Sequence, residues 1–159
     1  MIFVCLGTKR FSFNRLLKEI DTLIYEGKIE DDVFAQIGQT TYTPKHFRYN
    51  RFLSAEEYDA KVNNADLVIT HGGTGAIIKA LKANKQIIAV PRLKKYDEHL
   101  DDHQLQIVGF FTEQGYVRRV DELENLYDVI NKAKKKPIKK SFKGSGNIIK
   151  IIDEFIELH

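Results

Sequence analysis

The stretch Ala65-Asp-Leu-Val-Ile-Thr-His-Gly-Gly-Thr-Gly75 constrains this chain more than any other, because an apolar, β-branched run passes straight into a glycine-rich turn. Leu67-Val68-Ile69-Thr70 reads as a short buried strand, and Ala76-Ile77-Ile78 with Ala80-Leu81 resumes at helical spacing. Strand therefore becomes helix across Gly72, Gly73 and Gly75. Glycine at such a junction lets backbone N–H groups approach a ligand closely. The unpaired donors of a helix's first turn, at the positive end of its dipole, favour phosphate or pyrophosphate. The same residues also suit an ordinary loop that needs glycine for its backbone angles, so the rest of the chain has to decide.

Apolar runs of strand character recur over residues 2–6, 33–37, 67–70 and 87–90, with further ones near 46–53 and 116–120. Between them, Phe13, Leu16, Leu17, Ile20 and Ile24 form one face of a helix, and Ser54-Ala-Glu-Glu57 is a capping box that opens a second. Helices are predicted over 74–83, 100–110, 121–133 and 145–158 as well. Strands alternating with helices, and apolar on both faces, predict an α/β Rossmann-like domain: a parallel sheet with helices on each side. With 159 residues, 43% of them apolar, the chain supports one domain spanning residues 1–159 and is short for two.

Charge and cysteine usage narrow the class. The formal net charge is only +3, and its excess lies in residues 132–143. That lysine-rich run has a single aromatic nearby, Phe142, and so lacks the stacking platforms of single-strand nucleic-acid binders; no nucleic-acid partner is predicted. It reads as an exposed connection to the last helix, or as a patch attracted to anionic lipid headgroups. Cys5 is the only cysteine, inside an apolar strand, which excludes a disulfide framework and points to an inert buried thiol in a reducing cytoplasmic setting. No window approaches the roughly 20 apolar residues of a membrane span. Met1-Ile-Phe-Val-Cys-Leu6 has no basic leader and reads as a first strand instead of a signal peptide.

The phosphate site is not the usual dinucleotide one. Gly-x-Gly-x-x-Gly after the first strand is missing, since that position holds Gly7-Thr8-Lys9-Arg10, and no Gly-x-x-x-x-Gly-Lys-Ser/Thr occurs anywhere. A pocket is expected where the C-terminal ends of the parallel strands converge. The loop after the fifth strand, Val90-Pro91-Arg92 through Glu98-His99-Leu-Asp101-Asp102-His103-Gln104, would reach it with many groups able to bond sugar hydroxyls.

Taken in order, Gly7-Thr8, Asn14-Arg15-Leu16-Leu17, His71-Gly-Gly-Thr-Gly75, Val90-Pro91-Arg92 and Glu98-His99-Leu-Asp-Asp-His103-Gln104 resemble the C-terminal domain of glycosyltransferase family 28. More closely, they resemble the PssE-type subunits of capsular and exopolysaccharide synthesis, relatives of the catalytic half of the split dolichol-linked N-acetylglucosaminyltransferase. The resemblance spans nearly the whole chain. It implies the donor-binding half of a GT-B enzyme, which transfers a hexose from a UDP-sugar, UDP-galactose among them, without a bound metal or other cofactor and with inversion. It implies as partners a membrane-anchored, PssD-type subunit that brings the acceptor, a lipid-diphosphate-linked saccharide, and recruits this chain to the inner face of the plasma membrane.

By the same resemblance His71, Glu98 and His99 are the catalytic candidates. Gly7, Thr8, Lys9, Gly72, Gly73, Thr74, Gly75, Arg92, His103 and Gln104 are the substrate-binding ones, with Arg92 toward the base and ribose and His103 and Gln104 on the donor sugar. From the residues alone, His71 also suits a strand-end cap, and Arg92 a surface side chain covering apolar atoms. Two departures from the family pattern stand out. Lys9-Arg10 replaces a histidine after the first Gly-Thr, and a cation there suits a diphosphate better than proton abstraction. Lys79 replaces the family's ribose-binding glutamate on the helix after the glycine turn. A non-catalytic, UDP-sugar-binding regulatory subunit is the alternative reading. The apolar 145–158 helix hints at a contact with another chain, either the partner or a second copy in a homo-oligomer.

Overall fold

A computed structural model describes residues 1–98 and 103–142. The six strands are β1 (Ile2–Cys5), β2 (Val33–Gln36), β3 (Arg48–Asn50), β4 (Leu67–Thr70), β5 (Gln86–Ala89) and β6 (Arg118–Arg119). The five helices are α1 (Asn14–Tyr25), α2 (Ala55–Asn64), α3 (Thr74–Lys82), α4 (His103–Glu113) and α5 (Leu126–Lys135). All strand pairs are parallel, and the spatial order is β3-β2-β1-β4-β5-β6. The strand order thus reverses between β1 and β4, the topological switch point at which ligands enter open α/β sheets.

Alternation along β1 shows how the sequence builds two cores. Ile2, Val4 and Leu6 face α1 and α5, packing with Leu16, Leu17, Ile20, Leu126 and Ile130. Phe3 and Cys5 face the other side, with Val62 of α2, Ile77 and Ala80 of α3 and Val108 and Phe111 of α4. Strands buried on both faces need apolar residues at nearly every position, and the predicted runs have them except at Gln36 and Thr70.

The capping box forms as read: Glu57 N–H donates to Ser54 Oγ (3.1 Å), and Ser54 N–H donates to the Glu57 carboxylate (3.0 Å). Two helices differ from expectation. α4 runs on to Glu113 instead of stopping at 110, and it ends where Gly115, at φ +77, supplies the left-handed turn that terminates helices. α5 begins five residues later than predicted, after a 3-10 turn over Leu123–Asn125, because Asp121 is drawn onto Arg119 Nε (2.7 Å) instead of capping a helix. The predicted 145–158 helix and its suggested role in association lie outside the described residues.

The lysine-rich run is less free than an exposed connection. Its side chains are mostly exposed, yet the Gln86 carboxamide at the start of β5 accepts from Ile138 N–H (2.8 Å) and donates to the Ile138 carbonyl (2.9 Å). Lys134 pairs with Asp31, and Lys140 donates to the Gln114 carbonyl (2.6 Å). These contacts place the run at the N-terminal edge of the sheet, opposite the switch point. Among the described residues no helix is long and apolar enough to cross a membrane.

Candidate functional site at the switch point

The C-terminal ends of β1 and β4 are joined through one histidine. His71, 9% exposed, donates from its backbone N–H (3.3 Å) and from ring Nδ1 (3.1 Å) to the Cys5 carbonyl. A carbonyl only accepts, so Nδ1 carries a proton. The ring lies between two glycines: a β-carbon on Gly7 would meet it at 3.0 Å and one on Gly73 at 2.5 Å. His71 is thus the strand-end tie that one reading of the sequence allowed, and it also stands directly under the glycine turn.

That turn is open to an anion. Gly72 takes φ +93, and Gly73, the N-cap of α3, has no side chain to bond the first-turn N–H groups. No acidic residue occupies the first turn of α3, and the basic residues Lys79 and Lys82 lie in its last turn. The N–H groups of Thr74, Gly75 and Ala76 precede the first intrahelical donor, Ile77, which bonds the Gly73 carbonyl (3.1 Å). A dipole end without cap or counter-charge, at the switch point, can take a diphosphate.

Around it sit the loops that the sequence pointed to. Thr8, Lys9 and Arg10 follow β1 and are exposed, while Gly7 at φ +77 is partly buried. Gly38, at φ +57, packs so closely that a β-carbon there would lie 2.4 Å from the Gly7 carbonyl oxygen. The sequence reading missed this second glycine and also Arg51, whose Nη1 donates to the Gly38 (3.2 Å) and Thr40 (2.9 Å) carbonyls. Only the turn-forming Gly-Gln-Thr after β2 hinted at them. Lys79 points to α2, pairing with Asp59 (3.2 Å) across the Tyr58 ring.

Two expectations for the loop after β5 need correction. Arg92 is not a surface side chain: it is 1% exposed and donates from Nη2 to the Leu6 carbonyl (2.5 Å), with its guanidinium 5.6 Å from the Phe13 ring centre. Burial pulls its pKa down to about 10, with the nearby Glu98 charge opposing the shift. Glu98, expected as a catalytic group, is 3% exposed and committed elsewhere. One carboxylate oxygen accepts from Arg15 Nε (2.8 Å) and the other from Leu93 N–H (3.1 Å). A carboxylate engaged in this way braces a loop and is poorly placed to move a proton. His99 lies outside the described residues, and His103 and Gln104 are described only as the first residues of α4.

Cys5 is buried and bonded to Tyr58 Oη (3.0 Å), and burial pushes the thiol's pKa up, which makes it inert. Among the described residues, no group of three or more His, Cys, Asp or Glu side chains is arranged to hold a metal ion.

Comparison with known proteins places this geometry. The family described as "Glycosyltransferase family 28 C-terminal domain" matches residues 1–156. Among curated proteins, the UDP-N-acetylglucosamine transferase subunit ALG13 of Saccharomyces cerevisiae is 45% identical over 53 residues, 33% of this chain and 24% of that one. The Candida albicans protein of the same name is 39% identical over 66 residues, 39% of this chain and 21% of that one. The matched segment thus spans about a quarter or less of these relatives. Among solved structures, the NMR structure of ALG13 is similar at TM-score 0.61 and 20% identity, covering 96% of this chain and 94% of that one. The crystal structure of Acinetobacter baumannii MurG is similar at TM-score 0.59 and 16% identity, covering 85% of this chain and 42% of that one. The fold is that of the C-terminal half of GT-B glycosyltransferases.

Proposed function

Because the chain belongs to the glycosyltransferase family 28 C-terminal domain family, we propose that it is the donor-binding subunit of a two-component, metal-independent GT-B hexosyltransferase. The donor is a UDP-hexose, with UDP-galactose the first to try. The acceptor is a lipid-diphosphate-linked saccharide presented by a membrane-anchored, PssD-type partner at the cytoplasmic face, in capsule or exopolysaccharide synthesis. The observation that carries the reading is the open N-terminus of α3 at the β1/β4 switch point, lacking both a capping side chain and an acidic residue.

In the reaction the bond between the anomeric carbon and the β-phosphate oxygen breaks while an acceptor oxygen attacks from the opposite face, inverting the centre. Negative charge grows on the departing UDP. Backbone N–H groups of Thr74 and Gly75, the Thr74 hydroxyl and the turn at Gly72 and Gly73 meet it, and their fixed orientation requires no reorganisation during transfer. His71 adds a hydrogen bond or, protonated, a positive charge. Gly7, Thr8 and Lys9 close the mouth of the site, where Lys9 neutralises phosphate. His99, His103 and Gln104 orient the sugar. Arg92 acts from below, holding the end of β1 through Leu6. The acceptor hydroxyl gives its proton to a base that the partner brings. The commitment of Glu98 to Arg15 favours, as a second reading, a subunit that binds UDP-sugar without turning it over.

Titration calorimetry without added metal tests the donor site, using UDP, UDP-galactose, UDP-glucose, UDP-N-acetylglucosamine and NAD. The expected result is binding of the uridine nucleotides, weakened at least tenfold by Thr74→Val and by Gly73→Val, since hydrogen bonds to charged groups contribute about 1.5–3 kcal/mol. Binding of NAD instead overturns the proposal. Co-expression with the partner then separates a transferase from a regulatory subunit by whether hexose is transferred.

A further inference from the structure

The loop after β2 holds both ends of the loop after β1. At the first end Gly38 lies against Gly7 and Thr8: a β-carbon on it would overlap the Gly7 carbonyl oxygen and stand 3.7 Å from the Thr8 Cα. At the second end Thr40 Oγ1 accepts from Phe13 N–H (3.2 Å), Ser12 Oγ accepts from Thr41 N–H (3.2 Å), and the Asn14 carboxamide oxygen accepts from Tyr42 N–H (3.1 Å). Between these anchors runs a short arc, residues 9–11, on which Lys9 and Arg10 are exposed.

Arg51, just beyond β3, shapes the loop that does the holding. Its carbonyl accepts from Gly38 N–H (2.8 Å), and its Nη1 donates to the Gly38 carbonyl (3.2 Å) and the Thr40 carbonyl (2.9 Å). Thr40 N–H also donates to the Ile37 carbonyl (3.1 Å), so the turn that puts Gly38 at φ +57 is closed on both sides. Arg51 is exposed and belongs to neither hydrophobic core, and the bonds of its side chain go to this turn.

The arc begins beside the glycine turn of α3. Gly7 and Gly73 both lie against the His71 ring, which a β-carbon on Gly7 would meet at 3.0 Å. Contacts thus run from Arg51 through Gly38 to Gly7 and Thr8, one residue short of Lys9. A lysine on a loop already held at both ends gives up less freedom on taking a phosphate than one on a loop still to be ordered.

We propose that Arg51 is a positioning residue for the diphosphate: by fixing the Gly38–Thr40 turn it sets the course of residues 7–11, and with it the reach of Lys9 toward the anion, and it touches no ligand itself. The proposal rests on the donor-site reading above and adds a dependence within it. The contribution of Lys9 to binding passes through Arg51, whereas that of Thr74 does not.

The test is a pair of double-mutant cycles read by titration calorimetry with UDP on the full chain, one joining Arg51→Met to Lys9→Met and the other joining it to Thr74→Val. Arg51→Met and Lys9→Met are each expected to weaken binding about fivefold. Combined, they are expected to lose no more than about twice the larger single loss, where independent effects would give about 25-fold. Arg51→Met and Thr74→Val are expected to multiply. General destabilisation lowers the competent fraction alike in every background and so cancels from both cycles. Arg51→Lys, whose ammonium can donate to both carbonyls, is expected to bind within about twofold of wild type. Losses that multiply for Arg51 and Lys9 overturn the positioning role. So does Arg51→Met that binds UDP like wild type, or Arg51→Lys that loses as much as Arg51→Met. Equal coupling of Arg51 to Lys9 and to Thr74 means a general distortion of the site and overturns it as well. If Arg51→Met does not fold, Arg51→Gln takes its place in both cycles. Lys9→Met that binds UDP like wild type, with Thr74→Val still weakened, overturns the proposal and leaves the donor-site reading standing. Wild-type protein that binds no UDP removes both.

Discussion

The His71 imidazole lies so close to Gly73 that a β-carbon on that glycine would stand 2.5 Å from Nε2. The ring is held in place, because Nδ1 is tied to the Cys5 carbonyl, and a β-carbon on Gly7 as well would meet it at 3.0 Å. Gly73 has an ordinary φ of −68, so its need for glycine comes from this neighbour and not from backbone strain. Gly73→Ala is expected to cost about 1–3 kcal/mol by overpacking. It should also shift the turn enough to weaken UDP binding. Gly75→Ala is the control: nothing lies within 4 Å of its β-carbon, and alanine in the first turn of α3 should stabilise the fold by about 0.5 kcal/mol. Urea unfolding midpoints of the two variants check both signs.

Gly38 is constrained twice. Its φ of +57 disfavours any side chain, and a β-carbon would lie 2.4 Å from the Gly7 carbonyl oxygen, a backbone atom that cannot rotate away. Gly38→Ala is expected to lose about 3 kcal/mol or more, and to perturb the Gly7–Lys9 loop with it. Chemical denaturation measures the first effect. Backbone amide shifts of Thr8 and Lys9 on substitution report the second.

Asp21, a buried carboxylate on α1, accepts from Tyr42 Oη (2.6 Å) and from the backbone N–H groups of Lys45 (2.8 Å) and His46 (3.0 Å). The hydrogen bond to Asp21, with lesser contributions from burial and from the Asp21 charge, raises the Tyr42 pKa from 10.0 to about 12. As the pH climbs from 10 to 12, the unfolded chain gives up this proton while the folded chain keeps it. Stability fully present below pH 10 is thus lost as pH rises through that window. Unfolding free energies at pH 9 and pH 11 should show a larger fall for wild type than for Tyr42→Phe. Equal falls would rule the contribution out.

The Gln86 carboxamide accepts from Ile138 N–H and Arg118 Nη1 and donates to the Ile138 carbonyl, a side chain standing in for a strand partner. Gln86→Leu removes all three bonds, leaving the Lys139-Lys140 backbone to open locally. Tryptic cleavage there is expected to accelerate about tenfold, with the global unfolding midpoint little changed. Timed limited proteolysis followed by mass spectrometry reads the result.

Much of the fold was legible because burial on two faces leaves a plain mark. β4 came out at the residues its run predicted, and β1, β2 and β5 within one residue at their ends, since each is a nearly continuous apolar run, with Gln36, Thr70 and Gln86 as polar positions at strand ends. The Ser54 capping box was equally readable, being a purely local exchange of hydrogen bonds. The ends of α4 and the start of α5 were not. They depend on a left-handed Gly115 and on the capture of Asp121 by Arg119, which helix periodicity does not encode.

Within the site, the glycine turn and its helix were visible as a motif. The roles of the charged residues were not. Arg92 reads as a contact to base and ribose or a surface side chain, and Glu98 as a catalytic candidate in a loop of mixed charge, yet both are buried at the junction of β1, α1 and the β5 loop. Nothing in the spacing of Asn14-Arg15-Leu16-Leu17 marked Arg15 as the partner of Glu98.

The sequence alone thus determined what acts over a few residues: which segments are strand or helix, that the sheet is parallel, and that a glycine-rich turn opens α3. Hydrophobic periodicity, capping and glycine conformation are local physics, and they survive in the linear order. Tertiary structure alone decided which charges meet. His71 is 66 residues from Cys5, Arg15 is 83 from Glu98, and Arg92 is 86 from Leu6. A buried polar group is tolerated only where a partner sits within about 3 Å in the right direction. That distance is set by how β1, β4 and β5 lie side by side, which no short stretch of the chain contains.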